Sequence, residues 1–257
     1  MIDQLTLTVI SGIFISGAAA YLGTLMLSKK MSVVAGPLAH LALPGVALAI
    51  IYGFSLSLGA FPFVILGAIL IWVLERKTSL PMENLAAIIF AFGVGTALLI
   101  LPIGEAEEAL IGNIAVITLL ETCVVIALSS LIFCLVNFIY QNIMLINIHE
   151  EMAKASGINV SWYNLLYLLS IAVIVGLAVY LVGGLITVAL IAIPAASSRN
   201  ISKSLFSYKI WSIIFGVVSS ILGILIARFY HLPTGPCIII FSAALFLCTV
   251  FVQKRLI

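Results

Sequence analysis

Long apolar stretches separated by short polar segments make up almost the whole chain. Nine such stretches can be delimited, at residues 5–27, 33–54, 57–74, 84–102, 114–140, 161–182, 184–198, 210–228 and 236–252. Most of them reach the roughly 20 residues that an α-helix needs to cross the ~30 Å hydrocarbon core of a bilayer. The pattern therefore predicts an all-α, polytopic membrane bundle of about eight to nine spans, forming a single domain over residues 1–257.

The sixth and seventh stretches are exceptional because they meet at Gly183 and Gly184, with no polar loop between them. The seventh is also short and contains Pro194. Irregular backbone at membrane depth is tolerated only where it is buried in protein or lines a wet cavity. We therefore predict a broken or re-entrant helix there, directed toward a partner subunit or a pathway.

Small residues at four-residue spacing allow close approach of helices in a membrane. Three such pairs occur in the first and eighth stretches: Gly12/Ser16, Gly216/Ser220 and Ser219/Gly223. Two interpretations stay open from the sequence, namely packing inside one subunit and packing across a dimer seam.

Composition narrows the class of protein further. Hydrophobic residues make up 64% of the 257 residues and charged residues 8%, and the mean hydropathy is +1.36. A soluble domain, with about a quarter of its residues charged, is thereby excluded, and the small net charge of +2 gives no indication of a nucleic-acid partner. The four cysteines, Cys123, Cys134, Cys237 and Cys248, lie inside apolar stretches and are interpreted as small buried hydrophobic residues.

The distribution of basic residues predicts an orientation in the cell's inner (plasma) membrane. Loops that can face the cytoplasm hold ten of the eleven lysines and arginines, and only Arg228 lies outside them. The positive-inside rule then places the N-terminus outside and the C-terminus in the cytoplasm. In this orientation the acidic segment 104–108 faces outward and the polar segment 148–159 faces the cytoplasm.

That polar segment has the features of a short amphipathic helix. Glu150 and Glu151 near its start and Lys154 near its end match the helix dipole, and Gly157 is placed to end it. The order Glu151, Met152, Ala153, then Gly157 four residues on, resembles the Glu-Ala-Ala loop that permeases of ATP-binding-cassette importers insert into a groove of their ATPase.

From this resemblance we predict a cytoplasmic coupling helix at about residues 148–158. Its expected coupling residues are Glu150, Glu151, Ala153 and Gly157. A plain surface helix that joins two spans is the alternative that the segment alone leaves open.

The most unusual polar residue in an apolar stretch is His40, which Pro37 and Pro44 flank. A histidine that faces lipid is costly, so His40 should face a cavity or a partner. The two prolines remove backbone donors, which loosens the helix and frees carbonyl groups nearby. The imidazole could bind a metal or relay a proton, or it could be hydrogen-bonded into the bundle for a structural purpose.

Four blocks of the sequence resemble the metal-type permeases that import zinc, manganese or iron in bacteria. They are Leu38–Ala47 with His40, Pro44 and Gly45; Gly183–Arg199 with Gly183, Gly184 and Pro194; Leu232–Pro236 with Pro233 and Gly235; and the coupling segment Glu151–Gly157. Together these blocks extend over nearly the whole chain, and the chain is identified as a member of that family.

The resemblance implies the fold of the large permeases that also import iron chelates and cobalamin. It further implies pairing with a second copy, as a homodimer, or with a sister permease, together with cytoplasmic ATPase subunits and an extracellular or periplasmic metal-binding protein. The chain itself would be a transport subunit and no enzyme, since it contains no Walker-type loop. No permanently bound cofactor is expected, because the divalent metal is the cargo.

One position departs from the family pattern. The family usually carries an aspartate four residues before the histidine, where i, i+4 spacing lets both side chains ligate one cation, but here that residue is Gly36. Candidates to compensate are Glu83 with Asn84, and Glu121. Glu83 can equally mark a helix start after Pro81, and Glu121 can either line the pathway or serve a structural role.

Three other functions remain as alternatives. A permease for a metal chelate would need fewer protein ligands than one for a bare cation. A secondary transporter without an ATPase should show repeated halves and intramembrane carboxylates, and neither is evident. An intramembrane enzyme should show a catalytic constellation such as Ser/His, paired Asp or His-Glu-x-x-His, and the sequence contains none.

Overall fold

A computed structural model describes residues 3–28, 35–54, 56–78, 80–100, 117–182 and 187–253. These ranges contain eleven α-helices and no strand, which confirms the all-α prediction. The helices are α1 (Gln4–Ser28), α2 (Ala35–His40), α3 (Ala42–Tyr52), α4 (Leu56–Thr78), α5 (Met82–Ile100), α6 (Leu119–Ile148), α7 (Glu150–Ala155), α8 (Val160–Val182), α9 (Thr187–Ile201), α10 (Leu205–Tyr230) and α11 (Thr234–Gln253).

Each predicted apolar stretch coincides with a helix, and the second stretch corresponds to the pair α2 and α3. Within the described ranges, seven segments are long and apolar enough to cross a membrane: α1, the α2–α3 pair, α4, α6, α8, α10 and α11. The apolar part of α5, Met82–Ala97, is shorter. The polytopic bundle is therefore confirmed, and its number of spans roughly fits the expected eight to nine.

Helix α1 is the centre of the bundle. Nearly all of its residues from Ile15 to Met26 are buried, and it packs against α6, α8, α9 and α10. Many of these residues are glycine, alanine or serine, so their short side chains let neighbouring backbones approach closely. A buried hydrogen bond from Ser212 Oγ to the Ala20 carbonyl, at 2.6 Å, also joins α10 to α1.

The small-residue pairs lie inside the subunit. A methyl group added at Gly12 would lie 2.7 Å from Ser220 Oγ, and one added at Gly216 would lie 2.8 Å from the Ser16 carbonyl oxygen. Gly223 faces Ile238 of α11 at similarly close range. These pairs therefore form the α1–α10 and α10–α11 contacts, and the interpretation as a dimer seam is wrong.

Pro194 does not break its helix, whereas residues 183–186, where the predicted broken or re-entrant helix would begin, lie outside the described ranges. Helix α9 runs without interruption from Thr187 to Ile201, and Pro194 is buried within it. At 1.5 Å per residue its 15 residues reach about 22 Å, so the expectation of a short helix holds. It contacts α1, α2, α8, α10 and α11. Because other protein segments surround it, the one backbone hydrogen bond that proline omits is tolerated.

Several predictions concern residues outside the described ranges or the burial of the cysteines. Gly183 and Gly184, the acidic segment 104–108 and the basic residues 29, 30, 254 and 255 lie outside the described residues. Among the cysteines, Cys237 is buried, whereas Cys123, Cys134 and Cys248 are exposed on the surface of the chain. Burial of those three was a wrong expectation, because an apolar surface of this chain can face lipid instead of core.

Candidate functional site

His40 is the last residue of α2, at a break between α2 and α3. Leu41 forms the one-residue turn between the two helices. Pro37 and Pro44 lie in the first turns of α2 and α3, where a missing N–H costs little. Pro44 also has no N–H to close a helical hydrogen bond to the His40 carbonyl. The predicted loosening of the helix around His40 is thus confirmed.

The break is fixed in position by the Leu41 slot, which Gly67 of α4 and Gly93 of α5 form around the Leu41 side chain. A methyl group at Gly93 would lie 2.6 Å from Leu41 Cδ2, and one at Gly67 would overlap Leu41 Cδ1. Neither glycine was predicted from the sequence to take part in the site. Their occurrence inside long apolar helices was the available signal, because interior glycine weakens a helix unless close packing requires it.

Helices α3 and α4 touch through their backbones beside this slot. A methyl group on Gly45 would overlap the Gly59 carbonyl, and one on Gly59 would overlap the Gly45 carbonyl. The Pro44–Gly45 motif therefore serves two structural purposes, since Pro44 starts α3 and Gly45 lets α4 approach. Together they hold the segment that carries His40.

The imidazole of His40 is half-buried, although both chain neighbours, Ala39 and Leu41, are buried. Its ring centroid lies 5.1 Å from that of Phe90 in α5, in an edge-on arrangement. Among the described residues, no hydrogen bond from another side chain or from the backbone to this ring is observed. The ring thus has no hydrogen-bond partner in the part of the chain that the structure describes, and its pathway role stays a prediction.

Gly36 lies one turn before His40 on the same side of α2. A methyl group there would lie 3.2 Å from Val188 Cγ2 of α9, a contact that a small shift of the valine relieves. In the described ranges, no three or more His, Cys, Asp or Glu side chains are grouped so as to hold a metal. His40, Glu83 and Glu121 accordingly do not form one metal site within the subunit.

Glu83 lies exposed in the first turn of α5. The amides of Asn84 and Leu85 donate to the Pro81 carbonyl at 3.0 and 3.3 Å, so α5 starts at this proline. A carboxylate in the first turn of a helix is favoured by the helix dipole. The geometry therefore supports the helix-start interpretation of Glu83 over metal ligation.

Glu121 lies in the first turn of α6. Its Oε2 accepts hydrogen bonds from the Thr118 amide at 2.8 Å and from Thr118 Oγ1 at 2.9 Å. Thr118 Oγ1 in turn accepts from the Glu121 amide at 3.3 Å. This reciprocal capping box gives Glu121 a structural task at the start of α6.

The segment predicted to be a coupling helix forms the short helix α7, which follows α6 after His149 alone, while its coupling role stays a prediction. Lys154 Nζ and Glu150 Oε1 are 2.7 Å apart at i, i+4 spacing. The Glu150 carboxylate raises the pKa of Lys154 by hydrogen bonding and by charge, although so exposed a pair adds little stability. Gly157 ends the segment at φ +79°, in the left-handed conformation expected of a terminating glycine.

The exposed surface of α7 and of the adjoining end of α6 combines apolar and acidic residues. Ile148, the last residue of α6, and Met152 of α7 are 66% and 56% exposed, and Glu151 is also exposed. Exposed apolar groups within a polar surface are typical of protein docking sites. Ala153, predicted to contact the ATPase, is instead fully buried and packs α7 onto the bundle.

Comparison with known proteins gives consistent results over the whole chain. A family model described as the ABC 3 transport family matches residues 1–253. The high-affinity zinc uptake system membrane protein ZnuB of Haemophilus influenzae is 29% identical over 266 residues, covering 100% of each chain. The manganese import system permease protein ScaB of Streptococcus gordonii is 25% identical over 250 residues, covering 96% of this chain and 90% of ScaB.

Two solved structures share the fold. PsaBC from Streptococcus pneumoniae, in complex with Fab, matches with a TM-score of 0.85 and 24% identity, over 99% of this chain and 94% of the other. An inward-facing conformation of a protein described as a metal-chelate type ABC transporter matches with a TM-score of 0.79 and 18% identity, over 98% and 90%. These matches confirm the predicted permease fold.

Proposed function

The chain belongs to the ABC 3 transport family, and from this premise we propose that it is the membrane-spanning permease subunit of an ATP-driven importer for zinc or manganese. The observation that carries the proposal is α7, a short helix between two membrane spans with exposed Glu151 and Met152, beside the exposed Ile148 at the end of α6. Such a surface suits docking on a soluble ATPase. The relatives reported above are zinc and manganese systems, so these metals are proposed ahead of iron.

In this proposal the chain carries out no catalysis of its own. ATP is hydrolysed by cytoplasmic subunits that bind α7, and a metal-binding protein outside the cell delivers the cargo. The N-terminus lies outside and the C-terminus lies in the cytoplasm, as the distribution of basic residues favours. His40 lines the pathway where this subunit meets a second copy or a sister permease, because its imidazole is left without a partner in the part of the chain that the structure describes.

A first prediction concerns the docking of α7. We expect Gly157→Val to reduce uptake and ATPase association by about tenfold or more, because a β-branched residue is strained at a φ of +79°. The space around Gly157 is open, with no atom near an added methyl group, so the strain stays local to the loop. Glu151→Arg should have the same effect by reversing a charge on the exposed side. Co-purification with the ATPase and uptake into vesicles measure both.

The matched control is Gly157→Asn, because asparagine tolerates the left-handed conformation. It should retain association and uptake, and the melting temperature of the permease should be unchanged in all three variants. Full ATPase association and full uptake by both Gly157→Val and Glu151→Arg would make α7 a simple connector.

A second prediction concerns the position one turn before His40. We expect Gly36→Asp to tighten the binding of zinc to the purified membrane subunit by about tenfold or more, because a carboxylate would join the imidazole on one helix side. Isothermal titration with zinc measures this, with Gly36→Ala as the steric control. Equal binding by the aspartate and alanine variants would show that position 36 does not face the cation.

A metal chelate is the second candidate cargo, and Gly36 is the observation that favours it. A single neutral imidazole holds a bare divalent ion weakly, whereas a chelated or partly hydrated ion brings its own ligands. Two results would support this alternative. Zinc uptake should be absent without the chelator, and in its presence an excess of the zinc chelate should compete with uptake.

A further inference from the structure

A cavity of about 540 Å³ opens at one end of the bundle, between the ends of α1, α6, α9 and α10. Ile148, the residue just before the loop to α7, forms part of its wall. The cavity therefore lies at the same end as the coupling helix. Nothing in the role proposed for His40 or α7 makes use of it.

The charge of this cavity is positive. Arg199 and Lys203 line it, and none of the described residues in its wall is acidic. Ser204 and Leu205, at the start of α10, also line it. Ser204 Oγ caps the amide of Ser207 at 3.2 Å, while the earlier amides of the first turn have no helical acceptor. Two cations and the positive end of a 26-residue helix thus act on one space.

Buried polar groups in the wall lack partners. Tyr208 is 7% exposed, and its hydroxyl is buried without a hydrogen bond to any described residue. The side-chain amide of Asn147 is in the same situation at both its nitrogen and its oxygen. A buried polar group without a partner costs about 1–3 kcal/mol, so the wall of the cavity carries polar groups that the described chain does not itself satisfy.

The remaining wall is apolar. Leu27, Met144 and Leu205 contribute to it, and Leu205 is 55% exposed next to Phe206 at 73%. An exposed apolar rim at the ends of membrane spans faces the headgroup region of a bilayer. The cavity therefore combines an anion site with an apolar edge, which is the chemistry of a phospholipid.

We propose that this cavity binds the phosphate headgroup of an anionic phospholipid from the leaflet on the α7 side. Arg199 and Lys203 pair with the phosphate oxygens, the positive end of α10 favours their negative charge, and the acyl chains lie along Leu205. Because Ile148 borders the same space, the bound lipid supports the start of the coupling loop. Anionic lipid should therefore stabilise the subunit and its association with the ATPase.

The test uses the full-length chain in vesicles of phosphatidylcholine with and without phosphatidylglycerol. We expect phosphatidylglycerol to be retained through detergent extraction and detected by native mass spectrometry. Arg199→Gln combined with Lys203→Gln should reduce this retention about tenfold, since each charge-assisted hydrogen bond contributes strongly. The control is Lys77→Gln, an exposed lysine at the end of α4 outside the cavity, which should retain the lipid.

Three results would overturn the proposal. The first is equal retention of phosphatidylglycerol by the double variant and by Lys77→Gln. The second is a full rise in melting temperature with inorganic phosphate alone, which would identify a free anion as the ligand. The third is loss of ATPase association by the double variant in lipid-free detergent, which would identify an acidic segment of the ATPase as the occupant.

Discussion

Metal uptake by the reconstituted transporter is expected to fall at least about a hundredfold in His40→Ala, beyond the loss typical for removing a group that merely supports a metal ligand. The alanine removes an imidazole that lies at the break between α2 and α3 and has no hydrogen-bond partner among the described residues. It should leave assembly and basal ATP hydrolysis largely intact, because no hydrogen bond to the ring from the rest of the described chain is observed. Radioactive zinc or manganese uptake into vesicles, with ATP hydrolysis measured in parallel, tests this.

The decisive comparison is His40→Phe. Phenylalanine keeps an aromatic edge against Phe90 but has no nitrogen to bind a cation, so it should be as inactive as alanine. His231→Asn is the control for loss of a histidine elsewhere, because His231 caps α10 at φ +55° and asparagine tolerates that conformation. Normal uptake by His40→Phe or by His40→Ala would make His40 a packing residue and return attention to Glu83 and Glu121.

The largest effect on stability is expected for Gly45→Ala. Its methyl group would overlap the Gly59 carbonyl of α4, and a backbone cannot rotate out of the way as a flexible side chain can. Overpacking of this kind costs about 3 kcal/mol or more, which for a chain of this size lowers the melting temperature by about 6–12 °C. We expect a poor yield of monodisperse protein in detergent and a lower melting temperature for what is recovered.

Gly95→Ala is the matched control for that experiment. Gly95 also lies inside a helix, α5, but no atom lies within 4 Å of a methyl group added there. The substitution should leave stability unchanged or raise it by up to about 1 kcal/mol through helix propensity. If Gly45→Ala melts as Gly95→Ala does, α3 and α4 are not in the backbone contact described.

Hydropathy predicted the helices well, because a segment buried in lipid must satisfy nearly every backbone N–H and C=O by hydrogen bonds within a helix. The end of α7 was equally predictable, since Gly157 is a local signal for a left-handed turn. The role of Glu121 was left open, although Thr118 and Glu121 have the Ser/Thr-x-x-Glu spacing of a capping box. That local signal was available and favours a structural role at the start of α6.

Other features depend on contacts that spacing along the chain does not reveal. The Leu41 slot joins residues from α4 and α5 to a turn 26 and 52 positions away, so no periodicity indicates it. The basic cavity likewise forms from four helix ends. From the sequence, Arg199 and Lys203 indicated only the orientation of the chain in the membrane. Counting basic residues in loops does not show which of them lie close together in the folded protein. Pro194 was misjudged for the same reason, since the surrounding helices decide whether proline breaks a helix.

The Leu41 slot has a mechanical consequence for any transport cycle. Helices α2 and α3 are two rigid rods joined by a single residue, so they can change their mutual tilt without breaking hydrogen bonds inside either rod. The hinge turns at Leu41, whose side chain packs against Gly67 of α4 and Gly93 of α5. Movement of α4 relative to α5 would therefore be converted directly into rotation of the rod that ends in His40. The volume of residue 41 would set how freely the hinge turns, separately from the chemistry that selects the ion.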